Sequence, residues 1–301
     1  MHTYNSLKKI IKSNELLYSF YQSIRYPKAA SVKNLFQKVN KKITVENLNG
    51  FYFDGKDSWV RVYDNLEFLY VNSQLGGLLE LEKKTGFETA QIKLLEKNFH
   101  DGDIFVDIGA NFGLYSIFVE KKFPNSSIHA FEPVPETFTI LQKNIAHNLC
   151  SHIAINNIGL SNKNDILKFT CDKYAGNHIV LDPTDQDDTV SINVITLDEY
   201  AEKNNLSKID FIKCDVEGAE LFVLQGATKI ITRDHPIILI EIHNNWTQRF
   251  NYTTNDVINY LISFGYKMKM IDYKTRTVEE YDPFRQAEIY DYIFYKNDII
   301  L

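Results

Sequence analysis

Carboxylates stand at the ends of several short apolar runs in this chain. The first of them sets the chemistry. Ile104, Phe105, Val106 and Ile108 form such a run, and Asp107 interrupts it near its end. Gly109 and Gly113 then bracket a tight turn, with Asn111 between them, and Leu114, Ile117 and Phe118 begin a pattern with helical spacing. The unit reads strand, glycine loop, helix. A buried parallel strand is apolar on both faces, so an acid at its carboxyl end costs free energy unless something pairs with it. Glycines there let the backbone come close to a ligand, and the helix start offers free N–H groups. The loop is neither GxxxxGK[ST] nor GxGxxG, since its pattern is G-x-x-x-G with an acid two residues before the first glycine. That charge repels a pyrophosphate. It suits a ligand with a cationic centre and an ammonium group, such as S-adenosylmethionine. The plain alternative is an ordinary strand-to-helix turn with an incidental Asp.

Further polar residues fall at equivalent places. Ser127 to Phe131 is a second strand signal and ends in Glu132-Pro133. Glu132 lies about 20 residues past the glycine loop, the spacing at which an acid binds ribose hydroxyls. Ile153 to Ile158 is a third strand signal, and its Asn157 is placed to bond an adenine ring, with a surface turn as the equal alternative. In Ile209 to Ala219, IDFIKCDVEGA, Asp215 and Glu217 follow a buried strand and Gly218 marks the turn. Pro236 to His243, PIILIEIH, is apolar until Glu241. Residues two apart on a strand share a face, so Glu241 and His243 can point the same way. Asp107, Glu132, Asp215, Glu217, Glu241 and His243 thus gather at strand carboxyl ends, where open parallel sheets bind ligands.

The positioning elements follow from periodicity. Residues 1 to about 45 are rich in Lys and Asn and permit one or two helices, ended by Pro27. Residues 43 to 81 alternate in short runs split by Asn-Gly, Asp-Gly and Asp-Asn, a small β meander. Thr85 to Phe99 starts with Thr-x-x-Glu (Thr85, Glu88) and reads as a capped helix. Pro135 opens a helix carrying Phe138, Leu141, Ile145 and Leu149. Residues 160 to 195 hold two strand signals around a loop with Tyr174 to His178 and the acids Asp182, Asp185, Asp187 and Asp188. So long a loop is often functional. Thr196 to Glu199 is another capping box, and Leu221, Leu224 and Ile231 give the helix after Gly218 its apolar face. Thr253 to Gly265 is a helix with a Thr cap and a terminal Gly, and Tyr266 to Tyr273 and Asp291 to Tyr295 pair as closing strands. Alternating strands and helices predict a three-layer α/β sandwich with a mainly parallel sheet. Two parts are expected: an N-terminal extension over 1–84 and the main domain over 85–301.

Composition excludes several classes. A net charge of −6 argues against nonspecific nucleic-acid binding. Three cysteines are an odd number with no metal spacing, which favours a reducing compartment over a disulfide framework. No apolar run approaches the ~18 residues of a membrane span, and Lys8, Lys9 and Lys12 break any signal-peptide core. The expected location is cytoplasmic. The basic N-terminal stretch leaves room for peripheral contact with a membrane surface or an acidic partner, and for an oligomer arm.

VDIGANFGLYS (106–116), FEP (131–133) and above all IKCDVEGAELFVLQGA (212–227) resemble the FkbM-type family of S-adenosylmethionine-dependent methyltransferases. The resemblance covers roughly residues 88 to 245. It implies a Rossmann-like class I methyltransferase fold with a seven-stranded sheet in the order 3-2-1-4-5-7-6, strand 7 antiparallel. The family's usual Lys-Ile-Asp is Lys213-Cys214-Asp215 here. By resemblance, Asp107 and Gly109 hold the methionine part of the cofactor, Asn111 is a further cofactor-binding residue, Gly113 permits close helix approach, Glu132 holds the ribose, and Asp215 lies near the methionine amine or the acceptor. The implied reaction is methyl transfer to a hydroxyl of a sugar, a glycan or a related natural product. His243 is the leading candidate for general base, with Asp215 and Glu241 beside it, since its unperturbed pKa lies near neutrality. Glu217, His243 and Trp246 are candidates for the acceptor side. A rival scheme places Mg²⁺ on Asp215, Glu241 and Asn244. Two other classes stay open: an NAD-dependent Rossmann oxidoreductase or epimerase, and a non-catalytic scaffold.

Overall fold

The apolar runs become strands covered on both faces. The computed structural model describes residues 51–53, 57–62, 66–69, 88–171, 177–181, 188–272, 275–285 and 290–301. The helices expected before Pro27, the Thr85 cap, Tyr174 and the acids Asp182, Asp185 and Asp187 lie outside these residues.

The first described elements are strands β1 (Phe51–Phe53), β2 (Ser58–Val62) and β3 (Leu66–Leu69), an antiparallel meander in that order. Helix α1 (Thr89–Asn98) precedes β4 (Ile104–Ile108), and α2 (Leu114–Lys122) leads to β5 (Ser127–Phe131). Helix α3 (Pro135–His147) and β6 (Ile153–Asn156) follow. A small sheet then forms from β7 (Gly159–Leu160), β8 (Asp165–Thr170) and β9 (Thr189–Ile195), in the order β7-β9-β8. After it come α4 (Leu197–Lys203), β10 (Phe211–Cys214), α5 (Glu220–Gln225), α6 (Thr228–Asp234) and β11 (Ile237–Glu241). The last elements are α7 (Asn244–Thr247), α8 (Thr254–Ser263), β12 (Lys267–Asp272), β13 (Thr277–Glu280) and β14 (Asp291–Tyr295).

The central sheet runs β6-β5-β4-β10-β11-β14-β12-β13. Its first five strands are parallel, and β14 is antiparallel to both neighbours. This is the expected order 3-2-1-4-5-7-6 with an added edge. The expected count of seven is corrected to eight by β13, which hid in the polar link between the two closing strands and pairs antiparallel with β12. Alternate residues face opposite layers. Phe105, Phe211, Leu239 and Ile293 pack with α1, α2 and α3, whereas Val106, Ile212, Ile240 and Phe294 pack with α4, α5, α6, α8 and the small sheet. The meander joins the first layer. Phe68 is fully buried and meets Phe112 edge-on, and the Leu69 and Glu67 amides donate to Asn144 and Asn148.

Three local expectations change. Helix α1 begins at Thr89, after Glu88 at φ 59°, so Glu88 is the turn residue and its side chain makes no cap. The helix after Gly218 is two helices, because the chain at Gly226 presses against the Ser161 carbonyl, only 2.0 Å from where a Cβ would sit. The third strand ends at Asn156, and Gly159–Leu160 leaves the central sheet for the small one. Thr196 and Thr253 cap their helices as the spacing predicted.

Candidate active site

The glycine loop is held at both ends of its turn. Gly109 (φ 79°) and Asn111 (φ 49°) take left-handed backbone, and the Gly109 and Ala110 amides donate to the Phe131 carbonyl at 3.0 and 2.9 Å. The Asp215 amide donates to the Ile108 carbonyl at 3.0 Å, which brings the end of β10 against Gly109. A Cβ on Gly109 would lie 1.8 Å from the Asp215 carbonyl oxygen, so only glycine fits.

Asp107 points away from this loop and into the first layer. Its Oδ2 accepts from the Ser116 amide at 3.1 Å and from Ser116 Oγ at 2.6 Å. It therefore satisfies an open N–H in the first turn of α2 from the strand below. Burial pushes its carboxyl up to about 6, against the pull of the Ser116 bonds and of Lys213. Gly113 faces Leu141.

Glu132 is oriented by two backbone amides. Asn111 donates to Oε2 and Val134 to Oε1, both at 3.0 Å. Burial raises the carboxyl to about 7 despite these bonds. Past β10, Glu217 sits at φ 52° and Gly218 at φ 103°. The turn is tied by Glu220 Oε1, which accepts from the Gly218 amide at 3.0 Å, and by the Tyr252 hydroxyl, which donates to the Gly218 carbonyl. Burial, with the charges of Asp215 and Glu220, raises Glu217 to about 8.

These pieces enclose a cleft of about 670 Å³, counted to its open mouth. Gly109, Asn111 and Glu132 line it, and Asp215 and Glu217 mark its β10 end, where Asp215 lies against Gly109. Ile158, Leu160, Phe169 and Ile179 give it an apolar wall. Among the described residues three carboxylates and no Lys, Arg or His line it. Asn157 does not line it: its amide donates to the Glu132 and Pro133 carbonyls at 2.9 and 2.8 Å. The apolar wall was missed in the sequence because its residues come from the small sheet and the stretch before it.

Glu241 and His243 part company. The strand ends at Glu241, and His243 becomes the N-cap of α7, its Nδ1 accepting from the Asn245 amide at 3.2 Å. The ring stacks on Tyr290, with centroids 4.1 Å apart. Burial lowers its pKa. With the Nδ1 lone pair turned to the Asn245 amide, the neutral ring carries its proton on Nε2.

Glu241 belongs to a buried cluster under α1 and α2. Lys213, 2% exposed, is the register partner of Asp107, and Glu241 is that of Asp291. Lys213 Nζ lies 3.4 Å from Asp215 Oδ2, and the ammonium sits 5.5 Å from the Tyr115 ring centroid. Tyr115 donates to Glu88, and Gln91 Nε2 to Asp291 Oδ2 at 2.9 Å. Among the described residues Lys213 Nζ and Asp291 Oδ1 have no hydrogen-bond partner. Burial works against the Lys213 charge, but Asp215, Glu88, Asp291 and Glu241 more than offset it and raise its pKa. The Asp215 charge and burial hold Glu241 well above the usual carboxylate range, and burial takes Asp291 to about 7. The signal for this cluster was Lys213 itself, a lysine inside a strand otherwise apolar. The rival metal set finds no support: among the described residues no three His, Cys, Asp or Glu side chains are grouped to hold an ion.

A mainly parallel sheet with a glycine loop after its first strand and carboxylates past its strand ends defines a Rossmann-like fold of the methyltransferase kind. The sequence model described as the methyltransferase FkbM domain matches residues 107–268, and the chain belongs to this family. Membership of this family favours methyl transfer over the oxidoreductase and scaffold alternatives. Hexuronic acid methyltransferase AglP of Haloferax volcanii is 30% identical over 152 residues, 50% of this chain and 61% of that protein. The 31-O-demethyl-FK506 methyltransferase FkbM of Streptomyces tacrolimicus is 36% identical over 53 residues, 17% of this chain and 20% of that one. The crystal structure of methyltransferase FkbM from Methylobacillus flagellatus is 18% identical with a TM-score of 0.45, covering 89% of this chain and 60% of that chain. The chain spans about three fifths of the length of the first curated relatives it matches. Among the described residues no helix is long and apolar enough to cross a membrane.

Proposed function

We propose that the protein transfers a methyl group from S-adenosylmethionine to a hydroxyl of a sugar or glycan. The observation that carries this is the lining of the cleft: Glu132, an apolar wall, and Asp215 and Glu217 past the end of β10, with no basic side chain among the described residues. That set fits a nucleoside with a cationic tail and opposes a pyrophosphate. Glu132, fixed by Asn111 and Val134, would take the ribose hydroxyls, and the Gly109–Asn111 backbone with Asp215 would take the amino-acid end. Bound there, S-adenosylmethionine supplies an already activated methyl group, so the protein's task is positioning and proton removal.

We assign the proton to Asp215. It lies on the cleft wall, its side chain is 34% exposed, and Lys213 pairs with it. The Asp215 charge and burial favour the protonated form of Glu241. His243, with its proton at Nε2, offers a hydrogen-bond donor. The sugar acceptor draws support from AglP, named for a hexuronic acid, and oxygen as the target from the relative named for an O-demethyl substrate. Calorimetric titration with S-adenosylhomocysteine tests the cofactor: one-site binding is expected, weakened at least tenfold in Glu132→Gln. Folded protein that binds NADH and not S-adenosylhomocysteine would overturn it.

A further inference from the structure

Arg249 is a cation set beside an acid-lined cleft. It follows α7 in the short helical turn Gln248–Phe250. Its guanidinium carbon lies 5.2 Å from the Trp246 ring centroid, so the planar group is held over the indole. Trp246 is itself fixed from two sides. Its carbonyl packs on Gly218, 2.7 Å from where a Cβ would sit, and its ring centroid is 5.1 Å from that of His178. Glu217 and Asn177, the neighbours of these two contacts, both line the cleft. Arg249 therefore stands at the rim of the end marked by Asp215 and Glu217.

Its charge is not spent within the protein. Among the described residues the guanidinium donates no hydrogen bond and makes no ion pair within 4.0 Å. The nearby acid, Glu217, feels the Arg249 charge yet keeps its proton to about 8. A stacked guanidinium with free N–H edges matches the two oxygens of a carboxylate. A lone solvated arginine would not be clamped in this way, since its stem would remain free to turn.

We propose that Arg249, clamped on Trp246 at the Glu217 end of the cleft, binds a carboxylate carried by the acceptor, so that the preferred acceptor is an anionic sugar. This rests on the proposed sugar-directed reaction and adds the charge the sugar must carry. Trp246 is then a platform for Arg249, and sugar selection runs through the cation.

The test uses the full chain saturated with S-adenosylhomocysteine and two probes, p-nitrophenyl β-D-glucuronide and p-nitrophenyl β-D-glucoside, with affinities read by calorimetry. The glucuronide is expected to bind about tenfold or more tightly than the glucoside, the size of one charged hydrogen bond. Arg249→Gln should abolish that preference and leave S-adenosylhomocysteine affinity unchanged, which also shows that the variant is folded. Arg249→Lys, which keeps the charge and loses the fork, should keep only part of it. Equal binding of both probes, or a preference that survives Arg249→Gln, overturns the inference and leaves the sugar reading standing. Binding of neither probe by protein that does bind S-adenosylhomocysteine overturns both.

Discussion

Gly109→Ala is the substitution whose cost the structure defines best. Two effects add. An alanine at φ 79° sits in left-handed backbone, at about 1–2 kcal/mol. The new methyl would also lie 1.8 Å from the Asp215 carbonyl oxygen and 3.0 Å from its carbon. Relaxed contacts need about 3.5 Å, so the loop and the end of β10 must separate by more than about 1 Å. Overpacking of this kind costs about 1–3 kcal/mol more. Gly102 is the internal control. It has φ 101° and nothing within 4 Å of a built Cβ, so Gly102→Ala carries the backbone strain alone. In urea, with a slope of about 1–3 kcal/mol per molar, the Gly109→Ala midpoint should fall about 1 M below that of Gly102→Ala. The displaced loop should also weaken S-adenosylhomocysteine binding, because Gly109 and Asp215 both line the cleft. A Gly109→Ala midpoint equal to that of Gly102→Ala would refute the reasoning, since the close approach would then carry no weight.

Stability should fall as pH rises from about 5 to 8. Asp107 is raised to about 6, Glu132, Glu220 and Asp291 to about 7, and Glu217 to about 8, so the folded chain holds protons that the unfolded chain has already released. Urea midpoints at pH 5 and pH 8 check the sign, and a higher midpoint at pH 8 would contradict it. Lys213→Met should cost about 3–5 kcal/mol by leaving buried carboxylates facing one another, and more at pH 8 than at pH 5. Adding Asp291→Asn should recover part of that loss, read by the same melts. At saturating cofactor Asp215→Asn should lower kcat by about 10² or more, and it should also weaken S-adenosylhomocysteine binding, since the same carboxylate takes the amino-acid end. His243→Asn keeps a helix-capping side chain and should stay within about tenfold of the parent. A far larger loss at His243 than at Asp215 would reverse the proton assignment.

The strands of the parallel sheet and the cleft-lining acids were legible for a physical reason, whereas the strand order came from the family resemblance. A buried parallel strand must be apolar, so a carboxylate beyond its end marks the ligand edge. Glu132, Asp215 and Glu217 were found that way, and all three line the cleft. The apolar wall was not legible. Ile158 and Phe169 lie in segments that read as ordinary strands and Ile179 in the loop between two of them, and nothing in their spacing shows that the small sheet brings them to one cleft. Strand β13 was hidden because an edge strand needs only one covered face.

Asp107 and Glu241 were read as belonging to the same edge, and the structure places them deeper. Both are still within their strands, so the alternation of faces binds them. Asp107 is two residues from Phe105, Lys213 two from Phe211 and Glu241 two from Leu239, and all three apolar partners pack toward α1 and α2. The charged residues must face the same way. Glu132, Asp215 and Glu217 lie past the last strand residue, where turning backbone, such as Glu217 at φ 52°, frees them from that alternation. A single residue of difference in position therefore separates an acid that lines the cleft from one that sets the charge beneath it. The two groups are still coupled, because the Lys213 ammonium reaches from the buried set to Asp215 on the cleft wall. Neutralising a buried partner should for that reason alter chemistry at Asp215 without touching anything in the cleft.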